Sequence, residues 1–538
     1  MRIPIPGISA VFLGRDEKEC GFVAVSRSAV GRRQFLQWGA AAAGAAAAGV
    51  LGGCGLRPTQ PGAGGLVAPN SPRVAAVEAA RRGSAARVVP VALTARPLQL
   101  DLAGTTVSTW GYGDQVPGPA IRVRKGEVLR VQTTNTLAAP TTVHWHGIAL
   151  RNDMDGVPDL TQTAIGSGGA FAYEFTVPDA GTYWFHPHVG TQLDRGLYAP
   201  LIIEDPAEGA DYDEELVVVL DDWIDGTGTD PDKVLAKLRA DGMGSMGGMG
   251  HSMGSMGNMG DMGVSPVTPL GGDGGDVTYP HYLINGRVAA DPQTVNYRPG
   301  QRVRLRIINA AGDTAFRVAI PQTAMTVTHT DGFAVQPSPA QALIVGMGER
   351  VDAVITLGDA SLPLIAVPYG KDGYAQLVLR VGDKAVAGSA ADAAAALKTT
   401  PLLDTATLAA AAPVQLAARE PDVSHELRLA GPGDKYSWTI NGKSYDPTQG
   451  LAVREGQRVR LRYANDSMMF HPMHLHGHTF AVRSPSGGYR ARKDTVLVAP
   501  MQTIDVDFEA NNPGQWLTHC HNIYHGEAGM MTVISYHQ

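Results

Sequence analysis

Short runs of alternating apolar and polar residues dominate the chain. Successive side chains of a strand point to opposite faces, so alternation is typical of strands with one buried face. These runs are separated by turns rich in glycine and proline, of which the chain holds 65 and 36. Segments with helical periodicity are scarce. The pattern therefore predicts an all-β protein.

One pattern recurs three times and predicts the domain organisation. Each copy has a glycine turn that leads into an alternating strand and ends near an asparagine; the copies span residues 124–131, 298–305 and 454–461. Their domain-sized spacing predicts three similar β-sandwich domains. We place the three domains at residues 86–205, 213–383 and 420–538, with a linker at 384–419 before the third.

Histidine pairs occur at matching places in the first and third domains. H-W-H at 144–146 and H-L-H at 474–476 follow their glycine turns at the same offset, where the middle copy has V-A-I at 318–320. A second pair follows in the same two domains, as H-P-H at 186–188 and H-C-H at 519–521. We therefore expect a metal cluster shared between the first and third domains, with the second domain as a spacer.

Residues 518–531, T-H-C-H-N-I-Y-H-G-E-A-G-M-M, combine two kinds of ligand. On a strand, Cys520 points away from the two histidines that flank it, so one segment contacts two metal centres. A thiolate, two imidazoles and a weak axial thioether form a blue-copper electron-transfer site. Cys520, His525 and Met530 supply three of these four ligands. A zinc site or a chance cluster is the weaker interpretation, because zinc sites rarely include methionine.

Charge and cysteine content narrow the class further. The net charge is −7 and no basic tract lies beyond the N-terminus, which argues against nucleic acid as a partner. Apolar residues make up 44% of the chain, enough for an ample core. Of the three cysteines, Cys20 and Cys54 precede the predicted domains, so the mature protein has no disulfide framework.

Residues 1–54 have the features of an export signal. Arg32 and Arg33, followed by Phe-Leu and a short apolar stretch, resemble a twin-arginine signal. The following L-G-G-C resembles a lipobox in which Cys54 is lipidated; a stray cysteine in a cleaved leader is the alternative. We expect a cell-envelope protein, in the periplasm or on the outer face of the membrane, anchored through Cys54. Residues 55–85 are predicted to be a flexible tether.

Four motifs in this order resemble the three-domain multicopper oxidases, the laccase-like family. They are H-W-H-G at 144–147, H-P-H at 186–188, H-P-M-H-L-H-G-H at 471–478 and H-C-H-x3-H-x4-M at 519–530. Within the family, the chain is most similar to bacterial cell-envelope copper-resistance oxidases. The resemblance implies three cupredoxin-like β-sandwich (Greek-key) domains and four copper ions, one of type 1, one of type 2 and two of type 3.

The resemblance also implies which residues bind each ion. Type 1 copper takes His471, Cys520, His525 and the axial Met530; type 2 copper takes His144 and His474; the type 3 pair takes His146, His186 and His521 on one ion and His188, His476 and His519 on the other. The implied reaction couples four one-electron oxidations at type 1 copper to reduction of O2 to water at the trinuclear cluster. Cys520 and its neighbours would give the electron a covalent path of a few bonds.

Oxygen reduction consumes protons, so carboxylates near the cluster should matter. Asp155, eleven residues after His144, matches the acid that the family carries beside its cluster, although a simple Asp-Gly turn is the alternative interpretation. Some relatives have an acid directly after the last type 1 histidine, where this chain has Gly526 followed by Glu527. We therefore predict Asp155 and Glu527 as catalytic residues.

Methionines suggest the reductant. A Met-rich insertion at 242–263 holds seven of the chain's 17 methionines, separated mainly by glycine. Thioethers are soft ligands that favour Cu(I), although a low-complexity linker is the alternative interpretation. Met469 also matches a substrate position of copper-oxidising relatives. The predicted Cu(I) ligands are Met469, Met243, Met246, Met249, Met253, Met256, Met259 and Met262.

We therefore expect a cuprous oxidase for copper resistance that uses O2 and also oxidises phenols. A general phenol-oxidising laccase and a copper-sequestering binding protein are the alternatives. Retention of all twelve copper ligands argues against sequestration, because storage needs no oxygen-reducing cluster. No oligomeric state is predicted.

Overall fold

The all-β prediction is confirmed by a computed structural model, which describes residues 65–209, 211–242, 265–433 and 435–538. The predicted export signal with Cys54, residues 55–64 of the tether and the seven methionines of the insertion lie outside the described residues. Within those ranges the helices are short: α1 (Pro72–Arg81), α2 (Pro231–Asp241), α3 (Ala390–Leu397) and α4 (Ile523–Glu527). None of them is both long and apolar enough to cross a membrane.

The first eight strands form two sheets. They are β1 (Val88–Leu102), β2 (Thr105–Tyr112), β3 (Ile121–Arg124), β4 (Val128–Asn135), β5 (His144–His146), β6 (Ala170–Thr176), β7 (Gly181–His186) and β8 (Ala199–Glu204). The sheet orders are β2-β1-β4-β6 and β3-β8-β7-β5. Trp145 is buried against the rings of Tyr173, Phe175 and Phe185. Because strand residues alternate, this anchoring directs the two histidines of β5 to the opposite face.

The next thirteen strands form a seven-stranded and a six-stranded sheet. They are β9 (Glu214–Trp223), β10 (His281–Ile284), β11 (Arg287–Val288), β12 (Thr294–Tyr297), β13 (Arg302–Asn309), β14 (Phe316–Ala319), β15 (Met325–Thr330), β16 (Phe333–Ala340), β17 (Leu343–Val345), β18 (Arg350–Thr356), β19 (Leu362–Pro368), β20 (Ala375–Val381) and β21 (Leu403–Asp404). The sheet orders are β11-β10-β9-β13-β18-β15-β16 and β12-β20-β19-β14-β17-β21.

The last eleven strands again form two sheets. They are β22 (Val423–Gly433), β23 (Ser437–Ile440), β24 (Leu451–Val453), β25 (Arg458–Asn465), β26 (His471–Leu475), β27 (Phe480–Arg483), β28 (Tyr489–Lys493), β29 (Thr495–Val498), β30 (Thr503–Glu509), β31 (Gln515–Cys520) and β32 (Met531–Tyr536). The sheet orders are β23-β22-β25-β30-β27-β28 and β24-β32-β31-β26-β29.

The repeated sequence pattern has the same pairing of strands around it in all three pairs of sheets. It leads into β4, β13 and β25, which pair in parallel with β1, β9 and β22. The same three strands pair antiparallel with β6, β18 and β30. Three copies of one strand arrangement thus follow from three copies of one pattern.

Two segments that the sequence analysis treats as connectors are packed against the sheets. Residues 65–85 contain α1, whose buried Glu78 accepts hydrogen bonds from the amide and hydroxyl of Thr176. The prediction of a flexible tether is therefore wrong for residues 65–85. The predicted linker at 384–419 contains α3, which buries Leu397, and β21, which pairs with β17. Alanines of α3 pack against the middle sheets, so this linker is itself part of the folded structure.

Candidate metal centres

Cys520 and two histidines form a compact buried triangle. The Cys520 Sγ lies 3.6 Å from Nδ1 of His471 and 3.6 Å from Nδ1 of His525, and the two nitrogens are 3.1 Å apart. Met530 is buried beside them, with its backbone bonded to Cys520 and His525. A thiolate with two imidazoles is a donor set that suits copper.

Polar groups on the far side of each imidazole orient the triangle. Nε2 of His525 lies 2.9 Å from the Asp276 carboxylate, which Tyr436 also contacts. Nε2 of His471 lies 2.8 Å from the Ser467 hydroxyl. Because the outer nitrogens are occupied in this way, both Nδ1 atoms face the sulfur.

A second centre is built from the four histidine pairs. Strand β5 pairs with β7, and β26 with β31, which brings His144 opposite His186 and His474 opposite His519. The two halves meet through stacked rings, with ring centroids 3.8 Å apart for His144 and His476 and 3.8 Å for His146 and His474. Ligand atoms within 4.8 Å of one another group as His144, His474 and His476; His144, His146 and His186; and His188, His476 and His519.

The remaining cluster histidine lies at the edge of these groups. The ring centroid of His521 is 5.0 Å from that of His146 and 5.3 Å from that of His186. His519, two residues earlier, has its Nε2 3.4 Å from Nε2 of His188 and 3.1 Å from Nε2 of His476. Cys520, which lies between these two histidines in sequence, points to the first centre instead. The alternation of side chains along the strand therefore separates the two centres.

Buried ring nitrogens that lack a hydrogen-bond partner indicate whether the cluster suits metal ions. Several buried ring nitrogens have no hydrogen-bond partner: Nε2 of His144, His186 and His474, Nδ1 of His146 and both nitrogens of His521. A buried polar atom without a partner costs about 1–3 kcal/mol. Imidazole suits copper, zinc, iron and nickel. Metal ions at these nitrogens would satisfy them, so the residues fit a metal cluster.

Asp155 lies against the histidine cluster. Its side-chain Oδ2 accepts a hydrogen bond of 2.9 Å from Nδ1 of His476, and its backbone carbonyl accepts one of 2.9 Å from Nδ1 of His144. The following Gly156 has φ +84°, and a Cβ there would come within 2.0 Å of the carbonyl of Val143. The Asp-Gly turn and the acid beside the histidines are therefore the same feature, rather than alternatives.

A second acid, which the sequence analysis missed, lies across the cluster. The Asp494 Oδ1 is 3.2 Å from Nε2 of His146, and its backbone carbonyl accepts a 2.9 Å hydrogen bond from Nδ1 of His474. Burial opposes ionisation of Asp494, but the Arg350 guanidinium holds its pKa well below the usual range. No motif marks Asp494, because its contacts depend on how distant strands meet.

Glu527 lies beside the cluster, where it lines two cavities. It lines a cavity of about 480 Å³ together with His188. It also lines a smaller cavity with His188, His519 and Cys520. Burial raises the pKa of Glu527, although Arg239 opposes the shift.

The methionines near His471 differ in exposure. Met469 is buried, with 3% of its surface exposed, whereas Met468 is 55% exposed. Met501, which the sequence analysis did not consider, is 60% exposed. The Asn465 side chain donates to the carbonyls of Met469 and Ala499, which ties together the two loops that carry these methionines.

The middle part of the chain reaches both centres, so it is more than a spacer. Asp276 contacts His525, as described above. A Cβ on Gly348 would come within 2.9 Å of the His521 ring and 3.0 Å of the His146 ring. Arg350 binds Asp494 through both terminal nitrogens. Loops of the middle part therefore form walls of both centres.

Comparison with known proteins matches these features to one family. Three family models described as multicopper oxidase match residues 95–208, 214–363 and 418–538. The chain is 44% identical to the multicopper oxidase MmcO of Mycobacterium tuberculosis, over 96% of this chain and 99% of the relative. It is 27% identical to copper resistance protein A of Pseudomonas syringae pv. tomato, over 94% and 98%. The crystal structure of a multi-copper oxidase from Pseudomonas thermotolerans is 28% identical, with a TM-score of 0.63 over 84% of this chain and all of that chain (100%).

Proposed function

Since this chain belongs to the multicopper oxidase family, with its cupredoxin-like β-sandwich fold, we propose that it oxidises Cu(I) to Cu(II) for copper resistance. It is a copper-dependent oxidoreductase that uses O2 as acceptor, and phenols would be secondary substrates. The exposed thioether of Met468, three residues before His471, carries the proposal. It offers a soft ligand at the surface beside the predicted point of electron entry.

We assign four coppers to the two centres. His471, Cys520, His525 and Met530 would hold type 1 copper, and His144 with His474 would hold type 2 copper. The type 3 pair would be held by His146, His186 and His521 and by His188, His476 and His519. Copper bound in these sites supplies one-electron oxidation at the first centre and reduction of O2 to water at the second.

The chain itself provides the connection between the centres. Cys520 reaches the first centre while its neighbours His519 and His521 reach the second, so only backbone and side-chain bonds separate them. Ser467 and Asp276 touch the outer nitrogens of His471 and His525, which fixes the orientation of both proposed type 1 ligands.

Protons for O2 reduction would be handled by two carboxylates. Asp155 holds His476 in position through Oδ2, and its Oδ1 lies 3.2 Å from Nδ1 of His144. Glu527 lines the two cavities that His188 also lines, and from there it would pass protons towards the cluster. In these positions, Asp155 would orient a metal ligand and Glu527 would admit protons.

Substrate capture would begin at methionines on the surface. Met468 and Met501 are exposed on loops that Asn465 ties together, and the Met-rich insertion supplies seven further thioethers by sequence. The buried Met469 is the predicted substrate residue nearest His471, and Cu(I) would reach it only after a local movement. The similarity to a copper resistance protein supports this choice of reductant.

The test compares two reductants on two proteins. O2 uptake is measured with Cu(I) and with a phenol, for the parent and for a variant in which the seven methionines at 243–262 are leucine. Leucine has similar size but is no ligand. We expect a higher KM for Cu(I), because binding before chemistry is lost, and unchanged phenol oxidation.

Other outcomes would favour the alternatives. Equal Cu(I) oxidation by parent and variant would remove the role of the insertion. A parent that oxidises phenols far better than Cu(I) would indicate a general laccase. Copper binding without O2 uptake would indicate a sequestering protein.

A further inference from the structure

Arg350, at the start of β18, joins all three pairs of sheets. Its Nη1 and Nη2 donate to Asp494 Oδ1 and Oδ2 at 2.7 and 2.5 Å. Its Nε donates to the carbonyl of Thr182 on β7, at 3.1 Å. Arg350 and Asp494 are both fully buried. One guanidinium from the middle sheets therefore binds a carboxylate of the last part and a backbone carbonyl of the first.

The local sequence makes room for this pair. Gly147, the last residue of H-W-H-G, has φ +85°, and a Cβ there would come within 2.4 Å of Arg350 Nη2 and 2.6 Å of Asp494 Oδ2. Any other residue would displace the ion pair or the histidine that precedes it. The lack of a side chain at Gly147 therefore leaves the space that Arg350, from another part of the fold, occupies.

The carboxylate that Arg350 holds faces the cluster. Asp494 Oδ1 is 3.2 Å from Nε2 of His146 and 3.4 Å from Nδ1 of His474. A bidentate pair fixes both the position and the plane of a carboxylate. Without its partner, a fully buried carboxylate is strongly destabilised and must rotate, take up water or become neutral.

We propose that Arg350 is a positioning residue for type 2 copper: by clamping Asp494, it orients His474 and His146 and sets how tightly that ion is held. The inference rests on the proposed assignment of type 2 copper to His144 and His474. It gives the middle sheets, which supply none of the twelve proposed ligands, a direct influence on the cluster. Partners that orient metal ligands commonly contribute about 10–100-fold in affinity.

Arg306 provides a matched control. It lies on β13, the neighbour of β18, and is likewise buried. It donates to the hydroxyl of Thr182 and to Asp352, and its ion pairs are with Asp352 and Glu215 rather than with Asp494. Arg306→Gln therefore removes a buried arginine at the same junction without touching the cluster.

The experiment measures copper retention and spectra in the full-length holoprotein. Arg350→Gln, Arg350→Lys and Arg306→Gln are dialysed against a graded chelator, and copper per chain is measured by mass spectrometry. Electron paramagnetic resonance reports the type 2 signal, and visible absorption reports the blue centre. We expect Arg350→Gln to lose type 2 copper at about 10–100-fold lower chelator concentration while keeping its blue absorption. Arg350→Lys, which keeps the charge but not the bidentate geometry, should fall between this variant and the parent.

Two further results decide whether Arg350 acts through Asp494. The double variant Arg350→Gln/Asp494→Asn should retain type 2 copper no worse than Asp494→Asn alone, because the two changes remove one interaction. Parent-like retention and an unchanged type 2 signal in Arg350→Gln would overturn the inference, as would equal loss in Arg306→Gln. If Arg350→Gln does not fold, a parent-like type 2 signal in Arg350→Lys overturns it instead. None of these readouts depends on whether Cu(I) is the substrate.

Discussion

Asp155 and His476 are hydrogen-bonded across 321 residues of sequence, with 2.9 Å between Oδ2 and Nδ1. The carboxylate comes from the first part of the chain and the imidazole from the last. This bond orients a proposed type 3 ligand with an acid whose other oxygen, Oδ1, lies 3.2 Å from Nδ1 of His144. Removing its charge should therefore impair oxygen reduction more than copper binding.

Asp155→Asn keeps the size of the side chain and removes its charge. We expect turnover to fall by about 10²-fold or more, because a positioned acid or base contributes about 10²–10⁴-fold. Stopped-flow reoxidation of the reduced protein by O2 should slow by a similar factor, with the blue absorption intact. Asp153→Asn, two residues earlier and paired with Arg151, is the control and should reoxidise normally. Parent-like reoxidation in Asp155→Asn would rule out the catalytic role.

Cys520→Ser tests the first centre. Cys520 is the only cysteine in the described part of the chain, and it is buried. Serine offers no thiolate, so the variant should lose its blue absorption and essentially all oxidase activity. Its circular dichroism should remain that of a β protein. A blue Cys520→Ser protein would disprove the assignment.

Copper removal should weaken the contact between the first and last parts of the chain. Ligands from both parts converge on one cluster, and a metal ion that binds only the folded state stabilises that state. At a free ligand concentration 100 times Kd, this linkage contributes about 2.7 kcal/mol per site. Differential scanning calorimetry should show a lower Tm for the copper-free protein, restored by added copper. Identical melting curves would mean that the cluster does not bridge the two parts.

Export and anchoring can be separated by two substitutions in the leader. Changing Arg32 and Arg33 to lysine should leave the protein inside the cell, because twin-arginine export requires the arginine pair. Cys54→Ala should be exported but released in soluble form, because the predicted site of lipidation is gone. Cell fractionation with immunoblotting distinguishes the two. Cys54→Ala protein that stays with the membrane after a salt wash would exclude the lipid anchor.

The sequence predicts features that short stretches encode. Alternation and glycine turns predict the strands, and the three repeat copies predict β4, β13 and β25 with their shared pairing. Each histidine motif is a local pattern whose members lie within a few residues of one another. Such patterns can be recognised in the sequence without knowledge of the tertiary structure. Asp155, eleven residues after His144, is predicted from the family resemblance.

Residues that meet only through tertiary packing were missed. Asp276, Arg350 and Asp494 belong to no motif, because their roles depend on three sheet pairs that converge at one place. Composition alone also does not show how residues 384–419 pack. Their alanine content resembles that of a linker, yet Ala394 and Leu397 of α3 bury themselves against the middle sheets.

The division of the cluster between both ends of the chain sets the order of events during synthesis. His188 emerges from the ribosome 331 residues before His519, which lies 3.4 Å from it in the folded protein. At about 5–20 residues per second, that gap is on the order of half a minute. During that interval, the cluster histidines of the first part of the chain are present without those of the last part. The complete cluster can therefore be assembled only after the last strands have been made, so an interrupted chain cannot become a partial oxidase.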